Sequence, residues 1–210
     1  MIIDDGKIEE INNIVISIGI QYHGMGVAMK TGEVYPANIA PAVSIENSRL
    51  LLSLMKWGFP HKDGKGIIVN AKSETAAKKR LFASPLARRR CVIPSTGFFE
   101  WIQSKGKPKA KYLFNTDEGP MLYMAGLYTE YPSPAKDLAV TARFVILTRE
   151  ANDTISDANS RMPVILYKHE IPRWLTDYRF AESVMRRDTI RLNRTAALRL
   201  IADTKDWQAG

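Results

Sequence analysis

Short strand-like segments, most of them bounded by glycine or proline, follow one another along almost the whole chain. Runs of β-branched, aromatic and aliphatic residues occupy positions 32–36, 50–57, 67–69, 111–114, 121–127, 144–148 and 164–167. Helical periodicity is confined to positions 8–18, 170–177, 180–187 and the segment after Asn70 or Ser73, either of which could cap it. Many strands, few crossover helices and no internal repeat predict an α+β fold: a strongly curved, mostly antiparallel sheet or open β-barrel with flanking helices.

The length of the chain fits one compact domain, or at most two small ones. Its 210 residues, 45% of them hydrophobic, are enough to bury a core, and we expect a single domain over residues 1–210. No apolar run approaches the roughly 20 residues that cross a bilayer, and the start lacks the basic-then-apolar pattern of a secretory signal. We therefore expect a cytoplasmic, monomeric protein without membrane contact.

Cysteine and histidine are too few and too scattered for a zinc site. Cys91 is the single cysteine, which excludes an internal disulfide, and His23, His61 and His169 lie far apart in the sequence. We expect no structural metal and no cofactor. Cys91 lies in an apolar strand and is predicted to be a buried, inert thiol. The lone Gly-x-Gly at positions 24–26 predicts a turn.

Glu100 stands in a segment, 89–101, that predicts a strand, a tight turn and a second strand forming a hairpin. Alternation places Glu100 on one face with Phe98, and Phe99 and Trp101 on the other. Burial among aromatic rings would raise the pKa of this carboxyl toward neutrality, as a general acid or base requires. The alternative is a strand-end carboxylate with its head in water, and this segment alone leaves both interpretations open.

The charge of the chain favours a polyanionic partner. Lys and Arg total 30 against 22 Asp and Glu, which gives a net charge of +8 and an isoelectric point near 9.6. Two basic runs carry the excess: one leads into Glu100, at positions 72, 78–80 and 88–90, and one lies in the tail, at positions 186, 187, 191, 194 and 199. Either run could instead be a solvated helix face.

Four blocks follow one another at characteristic spacing: Trp-Gly-Phe-Pro at 57–60, Asn-Ala-Lys-Ser-Glu-Thr at 70–75, the segment 89–101, and Arg-Met-Pro-Val-Ile-Leu at 161–166. In this order they resemble the signature blocks of the SRAP family, the SOS response-associated peptidases or abasic-site-processing proteins. Positions 32–38 and 148–152 are similar to weaker blocks of the same family. The resemblance covers most of the chain, and the order and spacing of the blocks make it specific.

The resemblance implies binding of single-stranded DNA at an abasic site and covalent capture of the opened sugar. In such proteins the amine and thiol of an N-terminal cysteine form a thiazolidine with the sugar aldehyde. By motif, Asn70 would position the amine or sugar, and Glu100 would handle protons. Trp57 would lie beside the DNA, Arg161 would contact phosphate or base, and Lys72 stands where the family often has arginine. From the residues alone, Asn70 could be a turn or cap residue and Trp57 could be core packing.

Two departures bear on this chemistry. The family opens Met-Cys-Gly-Arg, whereas this sequence opens Met1-Ile2-Ile3, so the thiol is absent, and the bulk of Ile2 predicts that Met1 is retained. We expect a truncated or mis-assigned start, with genuine loss of the cysteine as the alternative. Asn159 stands where the family has a catalytic histidine, and an amide forms hydrogen bonds but cannot titrate.

Three functional hypotheses follow. The first is an abasic-site-processing protein that binds single-stranded DNA and, with an N-terminal cysteine, forms a covalent DNA–protein crosslink through Asn70, Glu100 and Asn159. The second is a module that holds single-stranded DNA non-covalently by charge and stacking. The third is a peptidase limited to its own N-terminal residue, because no Ser/His or Cys/His set supports general proteolysis. Whether the chain is an enzyme depends on the two departures.

Overall fold

The computed structural model describes residues 1–3, 21–22, 32–103, 106, 108–131, 142–187 and 190–197. In these residues the strands are β1 Ile2–Ile3, β2 Gln21–Tyr22, β3 Gly32–Glu33, β4 Ile39–Glu46, β5 Arg49–Trp57, β6 Phe59–Pro60, β7 Ile67–Ile68, β8 Asn70–Lys72, β9 Arg90–Ser95, β10 Phe98–Ile102, β11 Ala110–Asn115, β12 Leu122–Glu130, β13 Ala142–Glu150, β14 Arg161–Pro163, β15 Ile165–Leu166 and β16 Asn193–Ala196. The helices are α1 Ser73–Ala76, α2 Arg80–Arg88, α3 Ile171–Thr176 and α4 Tyr178–Arg186. The helix predicted at 8–18 and the turn predicted at 24–26 lie outside the described residues.

The principal sheet curves back on itself. Its strand order is β14-β13-β12-β9-β4-β5-β2, and β13 also pairs in parallel with β5 and with β8. The pairing of β13 with β5 closes the path β13-β12-β9-β4-β5 into a ring, in which the other neighbours are antiparallel. This confirms the predicted α+β class with a strongly curved, mostly antiparallel sheet. A smaller sheet of order β10-β11-β16 lies beside it.

A continuous hydrophobic core fills the curved sheet and its contact with the helices. Trp174 of α3 is fully buried, and its indole N–H donates a hydrogen bond to the Cys91 carbonyl at 3.0 Å. Cys91 is itself buried, and burial raises the pKa of its thiol, which makes the thiolate inaccessible at neutral pH. None of the helices in the described residues has the length and apolarity that a bilayer span requires.

The hairpin predicted around Glu100 is wrong, because β9 and β10 belong to different sheets. β9 pairs with β12 and β4, whereas β10 pairs with β11. The backbone of Ile2 occupies the place of the missing partner: its N–H donates to the Gly97 carbonyl at 2.9 Å, and its carbonyl accepts the Thr96 N–H at 3.0 Å. The N-terminal strand therefore inserts at the turn between β9 and β10.

Other local predictions also need correction. Neither Asn70 nor Ser73 caps the helix that follows, since Lys72 holds the N-cap position of α1 without a side-chain bond. The buried Ser73 hydroxyl makes no hydrogen bond within the part of the chain that the structure describes. The basic tail is not one helix face, because Arg191 and Arg194 lie beyond α4 and pair with Asp153 and Asp157. The sequence analysis also missed β4 and β16.

Candidate functional site

Five residues singled out from the sequence line one cavity of about 120 Å³: Trp57, Asn70, Glu100, Asn159 and Arg161. Trp57 ends β5, Asn70 begins β8, Glu100 lies in β10, and Arg161 begins β14 just after Asn159. β5, β8 and β14 all pair with β13, which brings these separate segments together. The sixth residue, Lys72, is exposed in β8 and is not among the residues that line the cavity.

Glu100 has the environment of a proton-transfer group. It is half-buried, and Phe98 and Phe99, the two residues before it in the chain, line the same cavity. Burial raises the pKa of Glu100 above its ordinary value, against smaller lowering effects of the Asn159 hydrogen bond and the N-terminal charge. A carboxyl of this kind can hold or deliver a proton closer to neutral pH than an exposed one.

Trp57 combines a packing role with a place at the cavity wall. Its ring stacks on Phe144 with centroids 6.1 Å apart and an interplanar angle of 7°. Its indole N–H donates to the Val69 carbonyl at 3.0 Å, next to Asn70 in the chain. Core packing and exposure to the cavity are therefore both true of this residue.

Arg161 is already engaged by a carboxylate that the sequence analysis did not single out. Its two terminal nitrogens each lie 2.8 Å from an oxygen of Glu74, and one also donates to the Thr148 carbonyl at 2.5 Å. This guanidinium holds the pKa of Glu74 below its ordinary value. The signal in the sequence that could have pointed to Glu74 was its place inside the motif at 70–75.

The basic run before Glu100 does not form the wall of this cavity. Arg90 is buried, and its guanidinium donates to the carbonyls of Trp174 at 2.6 Å, Leu86 at 2.7 Å and Leu175 at 3.0 Å. Arg90 is therefore a structural residue that ties β9 to the helices. Arg161 supplies the side-chain cation among the described residues that line the cavity.

Comparison with known proteins shows the family to which the chain belongs. The family model for the SOS response associated peptidase (SRAP) matches residues 18–200. The chain belongs to the SRAP family. It is 30% identical to the abasic site processing protein YoqW of Bacillus subtilis over 169 residues, which are 73% of this chain and 75% of YoqW. It is 26% identical to the abasic site processing protein YedK of Escherichia coli over 144 residues, 66% of this chain and 63% of YedK.

Solved structures show the same fold. A crystal structure of a protein from Bacteroides thetaiotaomicron superposes with a TM-score of 0.73 at 22% identity, covering 88% of this chain and 87% of that one. A second, from Bordetella bronchiseptica, gives a TM-score of 0.71 at 22% identity, covering 88% and 94%. At this level of identity the likeness shows the SRAP fold alone.

In this SRAP chain Met1 lies in the cavity with Glu100. The Met1 side chain is buried, its carbonyl accepts the Val34 N–H at 3.0 Å, and its α-amine interacts electrostatically with Glu100. Burial lowers the pKa of this amine to about 6. An amine with that pKa is mostly neutral at pH 7, which is the form that adds to an aldehyde.

Asn159 fixes the carboxyl group of this SRAP site. Its amide nitrogen donates to Glu100 Oε1 at 3.0 Å, and its Oδ1 accepts the Arg161 backbone N–H at 3.0 Å. Both polar atoms of the side chain are thus used in holding other groups. Within the described residues, no group of three or more His, Cys, Asp or Glu side chains could hold a metal ion.

Proposed function

We propose that this protein processes abasic sites in single-stranded DNA. The observation that carries the proposal is the convergence of Asn70, Glu100, Asn159 and Arg161 on one cavity with Met1. Its relatives YoqW and YedK are named abasic site processing proteins, which supports the same substrate class for this chain. We further propose that residues 1–210 act as one domain and one monomer.

In the proposed complex, the opened sugar of the abasic nucleotide enters the cavity. The Asn70 amide holds a sugar hydroxyl, because an amide both donates and accepts hydrogen bonds. Glu100, held by Asn159, takes protons from and returns them to the sugar during capture. Arg161 exchanges its Glu74 partner for a phosphate of the strand, and Trp57 offers its indole to a neighbouring base. Lys72 contacts phosphate from the exposed edge of β8.

The amine of residue 1 sets which covalent product can form. It adds to the sugar aldehyde, and loss of water leaves an imine carbon bonded to the nitrogen. With methionine at this position no thiol is adjacent, and the imine is released again by water. With cysteine there, the thiol adds to the imine carbon and its proton passes to the nitrogen, which closes a thiazolidine ring.

The test compares three N-termini made by tag cleavage, with the first residue verified by intact mass: Met1, Met1→Cys and Met1→Ser. Each is incubated with a single strand bearing one abasic site and then run on a denaturing gel. We expect a stable covalent band for Met1→Cys alone. Met1 and Met1→Ser should give a band only when borohydride reduces the imine. A strand without an abasic site is the control for all three.

Glu100→Gln in the Met1→Cys background tests the proton-transfer role. We expect crosslinking to slow by about 10²-fold, because the amide has the same shape and cannot exchange protons. Thermal unfolding checks that the variant is folded. Crosslinking at an unchanged rate would overturn the proton-transfer role of Glu100, and the same band with an undamaged strand would overturn the proposed function.

A further inference from the structure

A second and larger cavity, of about 700 Å³, is lined by residues from positions 60–68, from α2 and Arg89, and from positions 129–131. Its apolar lining includes Ile68, Leu81 and Tyr131, and its polar lining includes Lys62, Arg80 and Arg89. This volume is in the range of small-molecule binding sites, which are about 300–1,000 Å³. We refer to it below as the second cavity.

The basic run that leads into Glu100 supplies the charge of this second cavity. Arg80, the first residue of α2, and Arg89, which follows its end, both line it, as does Lys62. None of the described lining residues is acidic. Arg89 donates one hydrogen bond to the Thr129 hydroxyl at 3.1 Å, and its side chain is otherwise exposed. The cavity thus presents three cations beside apolar surface, which is complementary to an anionic ligand with an apolar body.

The linings of the two cavities come close together in one segment of the chain. Ile68 lines the second cavity and Asn70 lines the first, and two steps along extended chain place their Cα atoms about 7 Å apart. Between them, the Val69 carbonyl accepts the Trp57 indole N–H at 3.0 Å. A chain of nucleotides held at the candidate site would therefore reach the second cavity within one or two units.

We propose that the second cavity binds a nucleotide, with the base and sugar against Ile68, Leu81 and Tyr131 and the phosphate at Arg80 and Arg89. A guanidinium binds phosphate in a bidentate manner, and an aromatic or aliphatic surface accepts any base face, so the site has little sequence preference. The nucleotide comes either from the strand held at the candidate site or from solution. The strand source rests on the proposed function, whereas binding of a free nucleotide does not.

The first experiment uses thymidine 5′-monophosphate and the ¹⁵N-labelled protein, followed by amide chemical shifts. We expect saturable shifts clustered at residues 80–89 and 129–131, and weaker binding of thymidine or inorganic phosphate alone. Arg80→Ala should raise the Kd for the mononucleotide by about tenfold. Arg88→Ala is the matched control: it removes the same charge from the same helix at an exposed position that does not line the cavity.

The second experiment measures Kd by fluorescence anisotropy for undamaged single strands of three and nine thymidines. If the strand supplies the nucleotide, Arg80→Ala weakens binding of the nine-mer more than that of the three-mer. If the mononucleotide binds and Arg80→Ala leaves both strands unaffected, the source is free nucleotide. The proposal is overturned if the mononucleotide gives no saturable shifts at these residues, or if Arg88→Ala weakens binding as much as Arg80→Ala. If the Met1→Cys protein does not crosslink to the abasic strand but the mononucleotide still binds, only the proposed function is overturned.

Discussion

The Asn159 side-chain amide donates a hydrogen bond to Glu100 Oε1 at 3.0 Å, while its Oδ1 accepts the Arg161 backbone N–H. One side chain therefore links β10 of the smaller sheet to β14 of the principal sheet. The second bond fixes which way the amide points, so that its N–H₂ group faces the carboxyl. Donation to a carboxylate favours the ionised form, which partly offsets the effect of burial on Glu100.

Asn159→Ala is expected to move the titration of Glu100 to higher pH. Removing the amide removes the largest of the effects that lower the pKa of Glu100, while the burial that raises it remains. The measurement is a ¹³C titration of labelled Glu carboxyl groups, with Glu100→Gln to assign the resonance. Asn193→Ala, an exposed amide in β16, is the control. An unchanged midpoint in Asn159→Ala would show that the hydrogen bond does not form in solution.

Glu74→Gln is expected to tighten binding of single-stranded DNA. The Glu74 carboxylate neutralises Arg161 through two 2.8 Å contacts, and a phosphate must compete with it for the same guanidinium. Loss of that charge should lower the Kd several-fold at low salt, with a smaller effect at high salt. Anisotropy titrations at two salt concentrations measure both effects. Weaker binding by Glu74→Gln would mean that Glu74 positions Arg161 for phosphate instead of competing with it.

The sequence was sufficient for the fold class and for predicting that most of the candidate residues lie together, because its blocks resemble those of the SRAP family. Asn70, Glu100 and Arg161 sit in short motifs whose residue types and order are specific, so their convergence on one cavity could be predicted without coordinates. The separate pairing of β9 and β10 could not be predicted from the sequence. The backbone of Ile2 takes the place of the hairpin partner, and Ile2 lies about 95 residues before this turn.

Charge patterns were a poorer guide than motifs. Positions 88, 89 and 90 are all arginine, yet their surroundings differ. Arg88 is exposed, Arg89 lines the second cavity, and Arg90 is buried. Burial of a guanidinium depends on carbonyl groups of α3 that are more than 80 residues away. The role of Glu74 could not be predicted either, because it depends on a distant residue: its partner Arg161 lies 87 residues further along the chain.

In a preparation whose first residue is Met1, the free energy of unfolding is expected to rise between pH 6 and pH 8. Burial lowers the pKa of the amine from 8.0 to about 6, so the unfolded chain carries more protons than the folded one throughout this window. The stabilisation is complete above pH 8 and is lost as the pH falls through 6. Denaturant unfolding at pH 5.5, 7 and 8.5 measures it. N-terminal acetylation removes the titrating amine and should reduce the change in the free energy of unfolding between these pH values. An equal pH dependence in the acetylated and free-amine proteins would contradict the prediction.

Arg90→Ala is expected to destabilise the fold and leave DNA affinity unchanged per folded molecule. Without the guanidinium, the buried carbonyls of Leu86, Trp174 and Leu175 lose their donors, which should cost about 3 kcal/mol. Arg88→Ala removes an equal charge two residues earlier from an exposed position, and should change the free energy of unfolding by less than about 0.5 kcal/mol. Denaturant unfolding separates the two variants. If Arg90→Ala were as stable as Arg88→Ala but bound DNA more weakly, Arg90 would belong to the DNA-binding surface and its burial against α3 would be wrong.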